Sequence, residues 1–171
     1  VIAYTDSGNN DYGTSIIFQN ASTTNNLTSE NYIGMSSGTA LETGSAASAG
    51  TPVVWEAADT QSISATFDSS SNKVVVAYMD NGNSSKGTYV VGTVSGTAIS
   101  FGSPAVYTSG QPNPVNATFD SNSNKVVFTY RDGANSNYGT AIVGTVSGTS
   151  ITFGSAVIFN SASSAYVQGT F

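Results

Sequence analysis

Residues 65–116 and 117–168 are two copies of one text. Aligned without a gap, 29 of their 52 positions are identical, from ATFDSSSNKVV against ATFDSNSNKVV to GTVSGTAISFGS against GTVSGTSITFGS. A chain built this way is an array of one supersecondary unit, and its fold must be one in which such a unit can be stacked. Two shorter stretches extend the array. Val1–Asp6 (VIAYTD) matches Val75–Asp80 (VVAYMD) and Val127–Asp132 (VFTYRD), so the first copy starts at the second strand of its unit. Gly169-Thr170-Phe171 matches Ala65-Thr66-Phe67 and Ala117-Thr118-Phe119, the opening of a fourth copy. The chain thus divides into residues 1–64, 65–116, 117–168 and a closing 169–171. Beginning at Val1 inside a repeat reads as a processed product or a window of something longer.

Each full unit reads as four short strands separated by turn residues. Strand a is Ile63–Phe67 or Val115–Phe119, and strand b is Lys73–Met79 or Lys125–Arg131. Strand c is Thr88–Val94 or Thr140–Val146, and strand d is Ala98–Phe101 or Ser150–Phe153, followed by a further apolar run at Ala105–Tyr107 or Val157–Phe159. Ser95-Gly96 and Ser147-Gly148 suit tight hairpins between c and d, since glycine accepts positive φ. No sustained helical periodicity occurs, which predicts an all-β protein.

Strand b is apolar on both faces, with Val74, Val76 and Tyr78 on one and Val75, Ala77 and Met79 on the other. A sheet with one wet face alternates more cleanly, so each small sheet is expected to lie between neighbours. Four-stranded antiparallel sheets packed face to face are the blades of a β-propeller. Three units are fewer than the roughly four to eight that close such a ring. The array is then part of a longer one, or copies associate, or the units stack as a fibre; a β-trefoil or β-prism is the threefold alternative. Between Gln19 and Gly50 the first copy carries 22 extra residues, the difference between an offset of 74 at Gly13-Thr14 and 52 from Pro52 onward. This insertion reads as a surface excursion or a docking element.

Charged residues make up only 8% of the chain, with net charge −6 and four cations. Nucleic-acid binding lacks its basic footprint, and a polybasic membrane patch or membrane-spanning helix is not encoded. Histidine and cysteine are absent, which removes the commonest general base, nucleophilic thiol and metal ligand together. No cofactor is expected and the chain reads as non-enzymatic. Among the acids, Glu30, Glu42, Glu56 and Asp59 belong to the first copy alone, and nothing in the sequence pairs them.

The remaining candidates sit mostly in turns. Asp120-Ser121-Asn122-Ser123-Asn124 has the opening of a calcium loop without its Gly and distant Glu, and Asp68-Ser69-Ser70-Ser71-Asn72 is its sister; both read as Asx-type hairpin turns. The loops between b and c carry Asp6/Asn9, Asp80/Asn83 and Asp132/Asn135, which could hold an ion by carbonyls and a carboxylate and which turn chemistry explains equally well. Tyr12 and Tyr138 stand at the end of these loops, where the middle copy has Lys86; with Asp6, Asp80 and Asp132 they are candidate ligand contacts of a carbohydrate-binding module. Trp55, Tyr107 and Phe159 share one position and read as core. Asn20, Asn26, Asn83 and Asn116 are candidate N-glycosylation acceptors.

The phrases ATFDSNSNKVV, YGTAIVGTVSGTSITFGS and AVIFNSAS resemble a tandem repeat of about 50 residues found in long arrays in phage tail-fibre-like and bacterial or environmental surface proteins. The resemblance covers Val1–Gln19 and Thr51–Phe171, and Asn26–Ala40 is similar to a segment found where such arrays give way to a small β domain. It implies an extracellular, cell-surface or virion-associated propeller-like scaffold and no catalytic residues. The expected function is structural: a filament or appendage subunit that self-associates, its first unit accepting Gly169, Thr170 and Phe171 of its own or a neighbouring chain as a strand. A lectin-like module that takes surface glycans at the loops between b and c is the alternative.

Overall fold

The computed structural model describes residues 1–19 and 48–171; all four candidates Asn20, Asn26, Glu30 and Glu42 lie outside the described residues. Among the described residues there is no α-helix, and the chain is all-β. The first unit comprises β1 (Ile2–Asp6), β2 (Tyr12–Ile16), β3 (Phe18–Gln19), β4 (Ser48–Ala49) and the first half of β5 (Val53–Asp68). The second takes the rest of β5 with β6 (Lys73–Asp80), β7 (Lys86–Ser95), β8 (Ala98–Phe101) and β9 (Ala105–Thr108). The third is β10 (Pro112–Asp120), β11 (Lys125–Asp132), β12 (Tyr138–Ser147), β13 (Ser150–Phe153) and β14 (Val157–Ser163).

Every pairing is antiparallel. In the second unit the ranks run β5, β6, β7, with Phe67 opposite Val74 and Val75 opposite Val91. The fourth rank is shared. β8 pairs with the far half of β7 (Gly92 opposite Phe101), while β9 pairs with its near half (Thr88 opposite Val106). The third unit repeats this with β13 and β14 on β12. The apolar run after strand d is therefore a fifth strand in its own right. In the first unit it flows without a break into strand a of the second, forming the 16-residue β5; the join is a bulge between Gln61 and Ser64, with Ser62 at φ 50°.

The same register places the insertion. Phe18 pairs with Ala49 and Gln19 with Ser48, the counterparts of Gly92 with Phe101 and Thr93 with Ser100. The Gly50 amide donates to the Ile17 carbonyl as Gly102 does to Val91 and Gly154 to Val143. The extra residues therefore replace the tight hairpin between c and d. Elsewhere that hairpin is the two-residue Gly96-Thr97, with Gly96 at φ +60° as a type II′ turn requires.

Two cores lie between consecutive units. Val74, Val76, Tyr78, Val90 and Ile99 of the second unit bury Ile17 and Trp55 of the first. Its opposite face, Val75, Ala77, Tyr89 and Val91, packs on Val126, Phe128, Tyr130, Ile142 and Ile151 of the third. The two-faced apolar pattern of strand b is thus used on both sides, and each side chain fully buried there contributes about 1.5–3 kcal/mol. Among the described residues no core joins the first unit to the third, as a threefold trefoil or prism would need. The units follow one another in series.

A single aromatic recurs at the centre of each contact. Trp55 stands edge-on to Tyr78, with ring centroids 4.6 Å apart, and reaches Phe101 at 6.4 Å. Tyr107 repeats the contact on Phe128, Tyr130 and Phe153 at 5.0, 5.5 and 6.1 Å. Behind each aromatic lies the glycine of the repeated Gly-Thr. A Cβ on Gly13 would sit 2.4 Å from the Trp55 ring; on Gly87 it would sit 2.7 Å from Tyr107 Cζ and 2.4 Å from Thr108 Cγ2. Gly87→Ala is therefore expected to lower stability by about 1–3 kcal/mol in urea titration. Gly154→Ala, with only the Val143 carbonyl at 3.9 Å, should change it little.

The Tyr107 hydroxyl is buried without a hydrogen-bond partner among the described residues. An unpartnered buried hydroxyl costs more than a missing one. Tyr107→Phe, which installs the third unit's residue at that position, is expected to leave stability unchanged or to raise it by about 1 kcal/mol, read as a higher Tm.

Candidate functional site

The turn carboxylates come first. Asp6 and Asp132 each accept the amide two residues on (Gly8 at 3.0 Å and Ala134 at 3.1 Å), whereas Asp80 accepts that of Asn83 at 3.0 Å. The loops then pass through two successive left-handed residues, Asn10-Asp11, Ser84-Ser85 and Ser136-Asn137. One loop geometry thus recurs in three units even though its residues differ. Asp80 is buried, and among the described residues no three acidic groups gather as a metal would require.

Tyr12 and Tyr138 are not in the loops. Each is the first residue of strand c, opposite the aspartate of its own hairpin: Asp6 with Tyr12, Asp132 with Tyr138, and Lys86 opposite Asp80 in the middle unit. The two tyrosines stand in units separated by the second one, so they form no common aromatic platform. Asn83 is exposed in its turn, whereas Asn116 lies half-buried within β10.

The turn after strand a is an Asx turn in both full units. Asp68 accepts four hydrogen bonds, from the amides and hydroxyls of Ser70 and Ser71 at 2.6–3.1 Å. Asp120 accepts from the Asn122 amide and the Ser123 hydroxyl. Burial pushes the Asp68 carboxyl up, but the four donors outweigh it and hold the group below its ordinary value. The sign follows directly. A lowered folded pKa stabilises the fold above the unfolded carboxylate value and is lost as pH falls through the folded one. Asp68→Asn should cost about 1–2 kcal/mol at neutral pH, and the gap from the parent should close on acidification below about pH 4, measured by urea titration across pH.

Two of the four acids that the sequence left unpaired, Glu56 and Asp59, are joined to the next unit. Glu56 accepts from the Tyr78 hydroxyl at 3.0 Å, and Asp59 from the Asn81 amide at 2.6 Å. Burial first, and Glu56 second, push the Tyr78 phenol well above its usual range. Both acids thus act as cross-unit acceptors. Sequence reasoning missed them because their partners lie 22 residues away across a sheet contact.

A different surface repeats with the fold. Where strand a of one unit lies against that of the unit before, its amides donate to side chains there: Val115 to Ser62 Oγ at 2.7 Å and Ala117 to Ser64 Oγ at 2.9 Å. The Gly169 amide donates to Asn116 Oδ1 at 3.0 Å, and its separation of 53 residues equals that of Ala117 and Ser64. Gly169 thus stands beside the third unit where Ala117 stands beside the second, although residues 164–171 form no strand, and β1 has no pairing with them. At the other end β1 pairs with β2 alone among the described strands, so its outer edge is open. Beside it runs a groove of about 200 Å³ lined by Val1, Ala65, Thr66, Phe67 and Val74.

Comparison with protein-family models, with curated proteins and with solved structures returned no match.

Proposed function

We propose that this chain is a non-enzymatic structural repeat protein of an extracellular or virion surface. In this reading it is a subunit of a filament or attachment appendage that assembles through its β-strand edges. The observation that carries the reading is the hydrogen bond from Gly169 to Asn116, which repeats that from Ala117 to Ser64, at the end of the array opposite the open edge of β1. A segment held in the place of strand a can complete a ladder with whatever strand b comes next. In the register of Ala65 with Val76 and Thr66 with Val75, Gly169 would pair with Ile2 and Thr170 with Val1. Strand addition of this kind satisfies an edge with backbone hydrogen bonds.

The uncharged, hydroxyl- and amide-rich surface supports an exported location, and the tail-fibre-like repeat resemblance points the same way. Units continued around an axis make a propeller ring; continued along one, they make a fibre. The carbohydrate-binding reading draws less support, because the loop carboxylates are engaged by their own turns and the two tyrosines stand apart.

The native mass of the chain by light scattering, with negative-stain images, tests the proposal. A discrete ring or fibre is expected, reduced to monomer when residues 169–171 are deleted. A full-length chain that stays at 17.4 kDa at high concentration overturns it.

A further inference from the structure

We infer that the outer sheet face of the third unit is a docking surface for the first unit of a second copy, so that copies associate head to tail through an aromatic wedge. This rests on the self-assembly reading above and names the surface, the partner and the polarity.

The face is defined by what the same positions do inside the chain. In the second unit Val75, Ala77, Tyr89, Val91, Ala105 and Tyr107 cover the third unit. Their counterparts in the third unit are Val127, Thr129, Ala141, Val143, Val157 and Phe159. Here half of the face is open: Val143 is 46% exposed, Val157 62% and Phe159 56%, while Val127, Thr129 and Ala141 are half-buried. Phe159 still stands over its glycine, since a Cβ on Gly139 would lie 2.6 Å from its ring. It keeps the posture of Trp55 and Tyr107 without the aromatics they meet.

The complementary surface is at the other end. Trp55 and Tyr107 enter cups built on Val76, Tyr78 and Val90 and on Phe128, Tyr130 and Ile142. The same positions in the first unit are Ile2, Tyr4 and Ile16, and Ile2 is 51% exposed. The interface found twice within the chain thus continues at both ends, wedge at one and cup at the other. Two unlike surfaces of this kind make a heterologous contact, which propagates as a ring or filament and does not stop at a symmetric dimer. Residues 169–171 would approach β1 in the same docking, so the face and the edge engage together.

The experiment uses two exposed substitutions, Phe159→Asp and Ile2→Asp, each confirmed folded by a parent-like far-ultraviolet spectrum and melting curve. By light scattering, each variant alone is expected to lose the higher assembly. Their equimolar mixture should form a 1:1 heterodimer, because one retains the cup and the other the wedge. A parent chain that assembles while Phe159→Asp assembles equally well overturns this inference and leaves strand-edge assembly standing. Loss with Phe159→Asp but not Ile2→Asp, or a mixture that stays monomeric, overturns the head-to-tail polarity. A parent chain that never assembles overturns both readings.

Discussion

The wedge of one aromatic ring between two successive sheets is the contact on which the rest of this structure depends. Trp55 on β5 and Tyr107 on β9 each leave the fifth strand of one unit and meet a tyrosine and a phenylalanine of the next. The ring can lie there only because the facing residue of strand c is glycine. Any Cβ at Gly13 or Gly87 would occupy the space of the ring itself. Close packing transmits such a constraint across the whole interface, since a protein interior has no slack to absorb a displaced aromatic. One short motif, Gly-Thr with an aromatic nineteen or more residues on, thereby sets the spacing of consecutive sheets.

Around that wedge the two interfaces differ in their polar fittings. The first carries Glu56 and Asp59 as acceptors for Tyr78 and Asn81. The second has the Tyr89 hydroxyl, which accepts from the Ile151 amide and donates to its carbonyl. Apolar packing repeats while hydrogen bonds are local inventions. This is the expected division: hydrophobic contact is non-directional and tolerates substitution, whereas a buried polar group needs one partner in one geometry. The recurring polar contacts are those made by backbone amides, at the hairpin between c and d and along strand a, where geometry is set by the fold.

A repeat array of this kind always presents unlike surfaces at its two ends, because every unit has a giving face and a receiving face. In the middle unit both are buried and β6 is covered on each side. The terminal units each keep one, and several exposed apolar side chains lie there: Val143, Val157, Ile158 and Phe159 at one end, Val1 and Ile2 at the other, while Phe67 and Val106 are exposed in the middle unit. The apolar faces open at the ends of the stack carry the same pattern that forms its core.

Much of this was legible from the sequence. The repeat, the all-β class, the Asx turns and the opposed apolar faces of strand b follow from periodicity and turn chemistry, which are local. Even the place of the insertion was bracketed by the change of offset. Other features needed the tertiary structure. The run Ala105–Tyr107 looked like a tail to strand d, yet it is a separate strand, because its partner, β7, is fixed only by the fold. Trp55, Tyr107 and Phe159 looked alike, and only packing separates two wedges set into the next unit from one left open. The union of Glu56 with Tyr78, the isolation of Tyr12 from Tyr138, and the docking of Gly169 on Asn116 are likewise non-local. Sequence spacing sets which face a residue takes within its own sheet; what that face meets is decided by the stacking of sheets upon one another.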